Sequence, residues 1–264
     1  MDGKSYSSGP GAHAVEITRL ADGQWQALDG EMAVGCGYAG RRADGRMFVG
    51  VDAWRAEAFD RLAEAMVGEL AGPLFTLVDE ADEESADAWR RAGFAVRRRE
   101  GEYAVPTDPR LTGLGEARPP EGVAVVPAGQ ADEALLRAVD RDIRDEVEAA
   151  GGWWQTMPAE VVPRDPGDTI VDPSKYAVAA GPDRYLGLIR VVRAKRPRIG
   201  LVAVRAGERR RGIARALLAH ALGALHTAGY DSAWAEAHES NRAAIALLES
   251  AGAERVGGNL ELVR

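Results

Sequence analysis

In GIARALLAHALGALHTAG (212–229), apolar Ile213, Leu217, Ala221 and Leu225 return every four residues, the period of a helix that buries one stripe, and Gly229 supplies a stop. YDSAWAEAH (230–238) alternates instead. That places Trp234, Glu236 and His238 on one face of a strand and Ala233, Ala235 and Ala237 on the other. The helical period also marks ADEALLRAVDRDIRDEVEAA (131–150), where Leu135, Leu136, Val139, Ile143 and Val147 form one stripe. Strands are predicted in GVAVVPA, KYAVAAG, RYLGLIRVV and RIGLVAV, a further helix in NRAAIALLESAG, and two short strands in AERVG and LELVR. GGWWQTMPAEVVPRDPGDTIVDPS reads as a short helix and a long loop. Strands alternating with helices predict an α/β (α+β layered) architecture, mixed β-sheets flanked by helices.

The first half has the same order. GRMFVGVDAWRAEAFDRLAEAM parallels the strand and long helix of the second half, and PLFTLVDEADEESADAWRRAGFAVRRREGEYAV parallels YDSAWAEAHESNRAAIALLESAGAERVGGNLELV. Ala92-Gly93 then falls where Ala251-Gly252 stands, and Trp89 where Leu248 stands. The first copy lacks a counterpart of the 132–150 helix. PTDPRLTGLGEARPPE (106–121), rich in Pro and Gly, has neither period and is the expected linker. The expected domains are therefore 1–105, a truncated copy, and 122–264, the complete one.

With 264 residues the chain can bury two cores. Lys plus Arg number 33 against 41 for Asp plus Glu, and the resulting net charge of −8 argues against a general affinity for nucleic acid or an anionic membrane. Any basic site must be local. Cys36 is the one cysteine, and His13, His220, His226 and His238 are scattered, so no zinc-like spacing is present and no metal is expected. No apolar run approaches the roughly 18 residues of a membrane span, and the start has no signal-like apolar core, so the expectation is a cytoplasmic protein.

One local basic site stands out. VAVRAGERRRGIARALLAHAL (202–222) sets Arg209, Arg210 and Arg211 before Gly212, between a strand and an apolar helix. The first N–H groups of a helix lack intrahelical partners, so a helix entered through glycine offers several donors to one anion, assisted by the helix dipole. Gly212 admits close backbone approach, Ala214 keeps the entrance narrow, and Arg209 and Arg211 can add charge-assisted hydrogen bonds. As an isolated pattern RxxGxA also describes a solvated basic turn. A P-loop is excluded by the missing Lys-Ser/Thr ending, and no GxGxxG follows a first strand.

In this context the chain resembles the GNAT superfamily of acyl-CoA-dependent N-acyltransferases, fully over about 120–264 and partially over about 13–105. VAVRAGERRRGIARALL resembles the family's pyrophosphate loop, with Arg209, Gly212 and Ala214 at signature positions, and NRAAIALLESAGA resembles its following helix motif. The resemblance implies acetyl-CoA as co-substrate, bound by Val202, Ala203, Val204, Arg209, Arg210, Arg211, Gly212, Ile213, Ala214 and Asn241. It implies strands 199–204 and 232–238 that diverge to admit the pantetheine arm. Val202 and Val204 would pair with that arm, and an amide near Val202–Val204 would stabilise the thioester oxyanion. Tyr is common in the family at a position that here is Leu248, Phe where Ala253 stands, and Glu near Arg198. The acid and base therefore do not carry over as a pair.

An alkylammonium must lose a proton before it attacks a thioester, so a carboxylate or imidazole is expected nearby. Glu236 is the first candidate base and His238 the second; ordinary strand-face hydrogen bonding is the competing reading for both. In the family the first helices line the acceptor cleft, and here they carry Asp142, Glu146, Trp153 and Trp154. Acid with aromatic suits a cationic amine, whether small molecule or peptide; a solvated helix face beside buried tryptophans is the alternative. The expected activity is direct acetyl transfer to a primary amine in a ternary complex, by a monomer or homodimer. The competing function is a non-catalytic acyl-CoA-binding or sensor protein, which Leu248 favours.

Overall fold

The computed structural model describes residues 14–42, 44–115, 117–157, 170 and 172–264, with the side chains of Trp154 and Gln155 excepted. The chain divides into two compact units: residues 1–78, 82–97 and 261–264 form the first, and 79–81 with 98–260 the second. The division falls at Arg97/Arg98, upstream of the proline-rich stretch that marks the expected linker.

The first unit begins with four antiparallel strands, β1 (Glu16–Ala21), β2 (Gln24–Asp29), β3 (Met32–Arg41) and β4 (Met47–Ala53). Helix α1 (Ala56–Glu69) follows, then β5 (Leu74–Asp79), helix α2 (Glu83–Arg91) and the start of β6 (Ala95–Pro106). Helix α1 buries Phe59, Leu62 and Met66, and the edge-on stacking of Phe59 on Trp89 and of Trp89 on Phe94 closes the core. Strands β4 and β5 run parallel but pair only at Met47↔Leu74 and Phe48↔Phe75.

The second unit contains β7 (Ala124–Val126), helix α3 (Glu133–Ala149), the short helix α4 (Trp153–Thr156), and strands β8 (Tyr176–Ala180), β9 (Tyr185–Val192) and β10 (Arg198–Val204). Helix α5 (Ile213–Thr227), strand β11 (Ser232–His238), helix α6 (Arg242–Glu249) and strand β12 (Glu254–Val263), as far as residue 260, complete it. Within this unit the strand order is β12-β6-β11-β10-β9-β8-β7. The order β4-α1-β5-α2-β6 is thus repeated by β10-α5-β11-α6-β12, in line with the internal repeat of the sequence.

The two faces of this sheet carry separate cores. On one side Ile213, Leu217, Leu218 and Leu222 of α5 pack with Ala233, Ala235 and Ala237. On the other Leu136, Val139 and Ile143 of α3 pack with Val178, Leu188 and Leu201. Trp234, Glu236 and His238 consequently face the α3 side, as the alternation predicts. The two strands expected at AERVG and LELVR are one, β12. Gly257-Gly258 reads as a break in sequence, yet Gly258 fits the strand because its backbone meets its neighbours closely: a Cβ there would lie 2.7 Å from the Glu100 carbonyl oxygen.

Candidate functional site

Strands β10 and β11 are parallel neighbours that pair only at Arg198↔Trp234 and Ile199↔Ala235. Beyond that point they part. The divergence coincides with a bulge in β10: Ile199 pairs with Val191 and Leu201 with Arg190, so Gly200 is an extra residue. Core membership shows the same event. Ile199 packs with α5, whereas Leu201 and Ala203 pack with α3, although residues two apart would share a face in a regular strand. The extra residue reverses the faces and bends the strand away from β11. A bulge is not visible in the apolar run RIGLVAV, because every residue flanking Gly200 is apolar on either reading.

A cleft of about 890 Å3 opens where the strands part. The backbone of Val202, Ala203 and Val204 forms one wall and Ala235–His238 the other. At its outer end lies the arginine-glycine turn. Gly212 has φ 87° and caps α5 with no side-chain hydrogen bond, so the first turn's N–H groups face the cleft without the Ser or Asp that usually occupies them. Arg210 also adopts a positive φ, 64°, a conformation that costs a non-glycine residue about 1–3 kcal/mol and is characteristic of backbone shaped around a ligand. No atom lies within 4 Å of a Cβ built on Gly212, so this position is open.

The turn is held from behind. Arg209 Nε donates to the Val204 carbonyl at 3.1 Å, Arg205 Nε donates to the Tyr185 carbonyl at 2.8 Å, and Arg211 pairs with Glu208. Arg209, Arg210, Gly212, Ile213 and Ala214 all line the cleft. Arg211 is half-exposed, turned to Glu208 and outside the lining.

Helix α3 clasps this turn. Glu146 accepts the Ala206 N–H at 2.6 Å and lies 3.8 Å from Arg209, and Asp142 pairs with Arg205. These pairings engage two of the residues that the sequence suggests for the acceptor site. Asp142 is engaged by a guanidinium and does not line the cleft; Glu146 lines it, but at the anion turn. Trp153 is buried at 6% exposure with the Arg144 guanidinium 3.9 Å from its ring centroid, so its face is taken by a cation of the chain. The Trp154 side chain lies outside the described residues.

Deeper in the cleft, Glu236 and His238 share the lining as expected, joined by Glu100. Glu236 is paired with Arg198 at 3.0 Å. His238 Nδ1 accepts the Ser240 N–H at 3.1 Å and lies 2.8 Å from Ser240 Oγ. A backbone N–H can only donate, so the neutral ring carries its proton on Nε2. Burial lowers the pKa of His238, the neighbouring Arg98 lowers it further, and Glu100 and Glu239 oppose this. The ring is therefore neutral near pH 7, with Nε2 a donor, and in this tautomer it suits hydrogen bonding better than proton abstraction.

Glu100 was missed by the sequence reading. It arrives on β6, which pairs antiparallel with β11 in the register His238↔Glu100 and Glu236↔Glu102. Arg98, 4% exposed, pairs with Glu100 and donates to the Met157 carbonyl at 2.7 Å, fixing that carboxylate. Nothing in local sequence pairs residues so far apart. Asn241 caps α6 by accepting the Ala244 N–H, and its Nδ2 donates to the Thr156 carbonyl at 3.0 Å, which ties α6 to α4. Leu248, 4% exposed, is a core residue at the cleft base and offers no proton. Among the described residues no group of three or more His, Cys, Asp or Glu could hold a metal, and no helix is long and apolar enough to cross a membrane.

No curated protein sequence is significantly similar to the chain. Among solved structures, a GCN5-related N-acetyltransferase from Sphaerobacter thermophilus is 16% identical, with TM-score 0.66 over 94% of this chain and 82% of that one. A tandem GNAT protein from the clavulanic acid biosynthesis pathway is also 16% identical, with TM-score 0.62 over 95% and 83%. A GCN5-related N-acetyltransferase from Kribbella flavida is 13% identical, with TM-score 0.59 over 95% and 89%. At these identities the likeness is one of fold. The model of the acetyltransferase (GNAT) family matches residues 141–253, which take in the second half of the clasping helix, the bulged strand, the arginine-glycine turn and the Asn241-capped helix. The strand-turn-helix site thus lies inside the segment that matches the acetyltransferase (GNAT) family model, and the fold of the chain is that of these solved acetyltransferase structures.

Proposed function

We propose that the protein is an N-acetyltransferase that uses acetyl-CoA and transfers the acetyl group directly to a primary amine. The observation that carries this reading is the coincidence of three features in one cleft: the Gly200 bulge, the parting of β10 from β11 just beyond it, and the Arg210–Gly212 turn at the open end. The turn has the donors a pyrophosphate needs, since the α5 N-terminus is uncapped and Gly212 leaves its approach open. Arg209 and Arg210 supply positive charge at its rim, and the edge of β10 freed from β11 offers N–H and C=O groups to an extended amide-bearing arm. Bound there, acetyl-CoA would supply an acetyl thioester, whose transfer leaves an amide and free CoA thiol.

The chain's residues would do the rest. Backbone N–H groups at the bulge would bind the oxygen on which negative charge develops, a contribution worth several kcal/mol when the donors are preorganised. Glu236, the first cleft residue past the last paired rung of β11, would take the proton that the attacking ammonium must lose. His238 would hold its Nε2–H toward the cleft as a hydrogen-bond donor, with Ser240 fixing the ring. Leu248 supplies no proton, so thiolate would leave without a tyrosine acid, and a purely acyl-CoA-binding role remains the second reading. Release of CoA thiol on adding amines to the protein with acetyl-CoA separates the two. Amine-dependent release that is lost in Glu236→Gln supports the enzyme; acetyl-CoA binding without release for any amine supports the binding protein.

The first unit repeats the strand-helix order and the parted parallel strands β4 and β5, but its link VDAWRAEAF has no glycine-arginine turn. We read it as a degenerate copy without a cofactor site of its own.

A further inference from the structure

The hairpin joining β9 to β10 has a composition at odds with the acidic chain around it. RVVRAKRPR (190–198) carries Arg190, Arg193, Lys195, Arg196 and Arg198 with no acidic residue among them. Arg193, Lys195 and Arg196 are exposed, and among the described residues neither Arg193 nor Lys195 has an ion pair. The hairpin is tied to β11 by two contacts, the second of them to the cleft residue Glu236. Arg196 lies over the Trp234 ring at 4.8 Å, and Arg198 pairs with Glu236 at 3.0 Å. Trp234 and Arg198 are register partners, so they stand on the same face as Glu236 and His238, the face on which α3 packs.

That face therefore has two poles. Glu100, Glu102 and Glu236 stand together on β6 and β11, with Arg98 held beside Glu100. The cations of the hairpin border them at the pinched end of the strands. Residues two apart in a strand are separated by about 7 Å, so the step from Glu236 to the level of Trp234 and Arg198 is of that order. The acidic helix and tryptophan expected to bind a simple cation are occupied by Arg205 and Arg144. Resting on the acetyltransferase reading, we infer that the acceptor is an amine bearing its own anionic group, a carboxylate or phosphate. Its ammonium faces Glu236 and its anion reaches Arg193, Lys195 and Arg196. A polyamine, cationic at both ends, would meet like charge at the hairpin.

The full chain and two matched acceptor pairs provide the test: L-lysine against cadaverine, and O-phosphoethanolamine against ethanolamine. CoA thiol release gives rates, and calorimetric titration of each compound into CoA-saturated protein gives binding without turnover. The expected result is an advantage of about tenfold or more, in kcat/KM or affinity, for the anion-bearing member of at least one pair, the size of one good charge-assisted contact. The pair that shows it identifies carboxylate or phosphate. In the double variant Arg193→Gln/Lys195→Gln that advantage should shrink through a raised KM, while acetyl-CoA affinity stays as it was. Equal or better use of cadaverine and ethanolamine, binding of none of the four, or an advantage untouched by the double variant would overturn the inference. Failure of the native protein to bind acetyl-CoA would instead overturn the acetyltransferase reading on which it rests.

Discussion

Glu146 stands within the proposed anion site and opposes it. Its carboxylate takes the Ala206 N–H and neighbours Arg209, where a phosphate would compete for the same donors. Glu146→Gln removes the competing charge while keeping a hydrogen-bond acceptor, so acetyl-CoA should bind several-fold more tightly, as calorimetry would show; unchanged or weaker binding would mean that Glu146 positions the turn instead. Glu236→Gln should lower kcat by about 10²–10⁴ with little change in acetyl-CoA affinity, the range for loss of a general base. The histidines give a pH dependence. Burial lowers the pKa of both His220 and His238 below the ordinary 6.5. Below about pH 6.5 the unfolded chain takes up protons that the folded chain resists, so stability should be full above that pH and fall as pH drops toward the folded values. Thermal unfolding from pH 8 to 5.5 would show this, with a shallower fall in His220→Gln. The backbone turn at Gly212 and the side-chain cap at Asn241 were legible in the sequence, because conformation and capping are local properties. The sequence could not show the partners of Asp142 and Trp153, since residue type does not reveal that Arg205 and Arg144 lie against them.

The elements divide in the same way. Helix α5 and strand β11 were legible because a period of four and an alternation of two each report which side is buried. The Gly200 bulge was not, as both faces of β10 are apolar, and neither was the pairing of β6 with β11, which depends on chain segments more than a hundred residues apart. Both omissions bear on the site, since the bulge opens the cleft and β6 brings Glu100 into it. Leu248 tests the base of the cleft. It is 4% exposed within the α5–α6 core, so Leu248→Ala should destabilise the protein by about 2–5 kcal/mol in urea unfolding. A cost well under 1 kcal/mol would show that the site collapses around the missing side chain or that the cleft base is looser than the packing indicates.

For the molecule as a whole, a net charge of −8 makes the arginine-glycine turn and the 190–198 hairpin local exceptions rather than parts of a basic surface. They stand at opposite ends of β10, the turn following its last residue and the hairpin preceding its first. One strand thus connects the proposed anion site for the co-substrate with the proposed charged border for the acceptor. The fold class and the repeat were legible from alternating periods, because layer architecture follows from which faces must be covered. The division into compact units was not, because the chain crosses between them inside a single strand, β6, with no break in the strand to mark it. Whether the turn holds the pyrophosphate is tested by calorimetric titration of acetyl-CoA into the native protein and into Gly212→Asp. Aspartate at that position would meet a strained backbone and place a carboxylate where the pyrophosphate is expected. The expected result is one site per chain in the native protein, lost in the variant. Absence of binding to the native protein, or binding that survives Gly212→Asp, would contradict it.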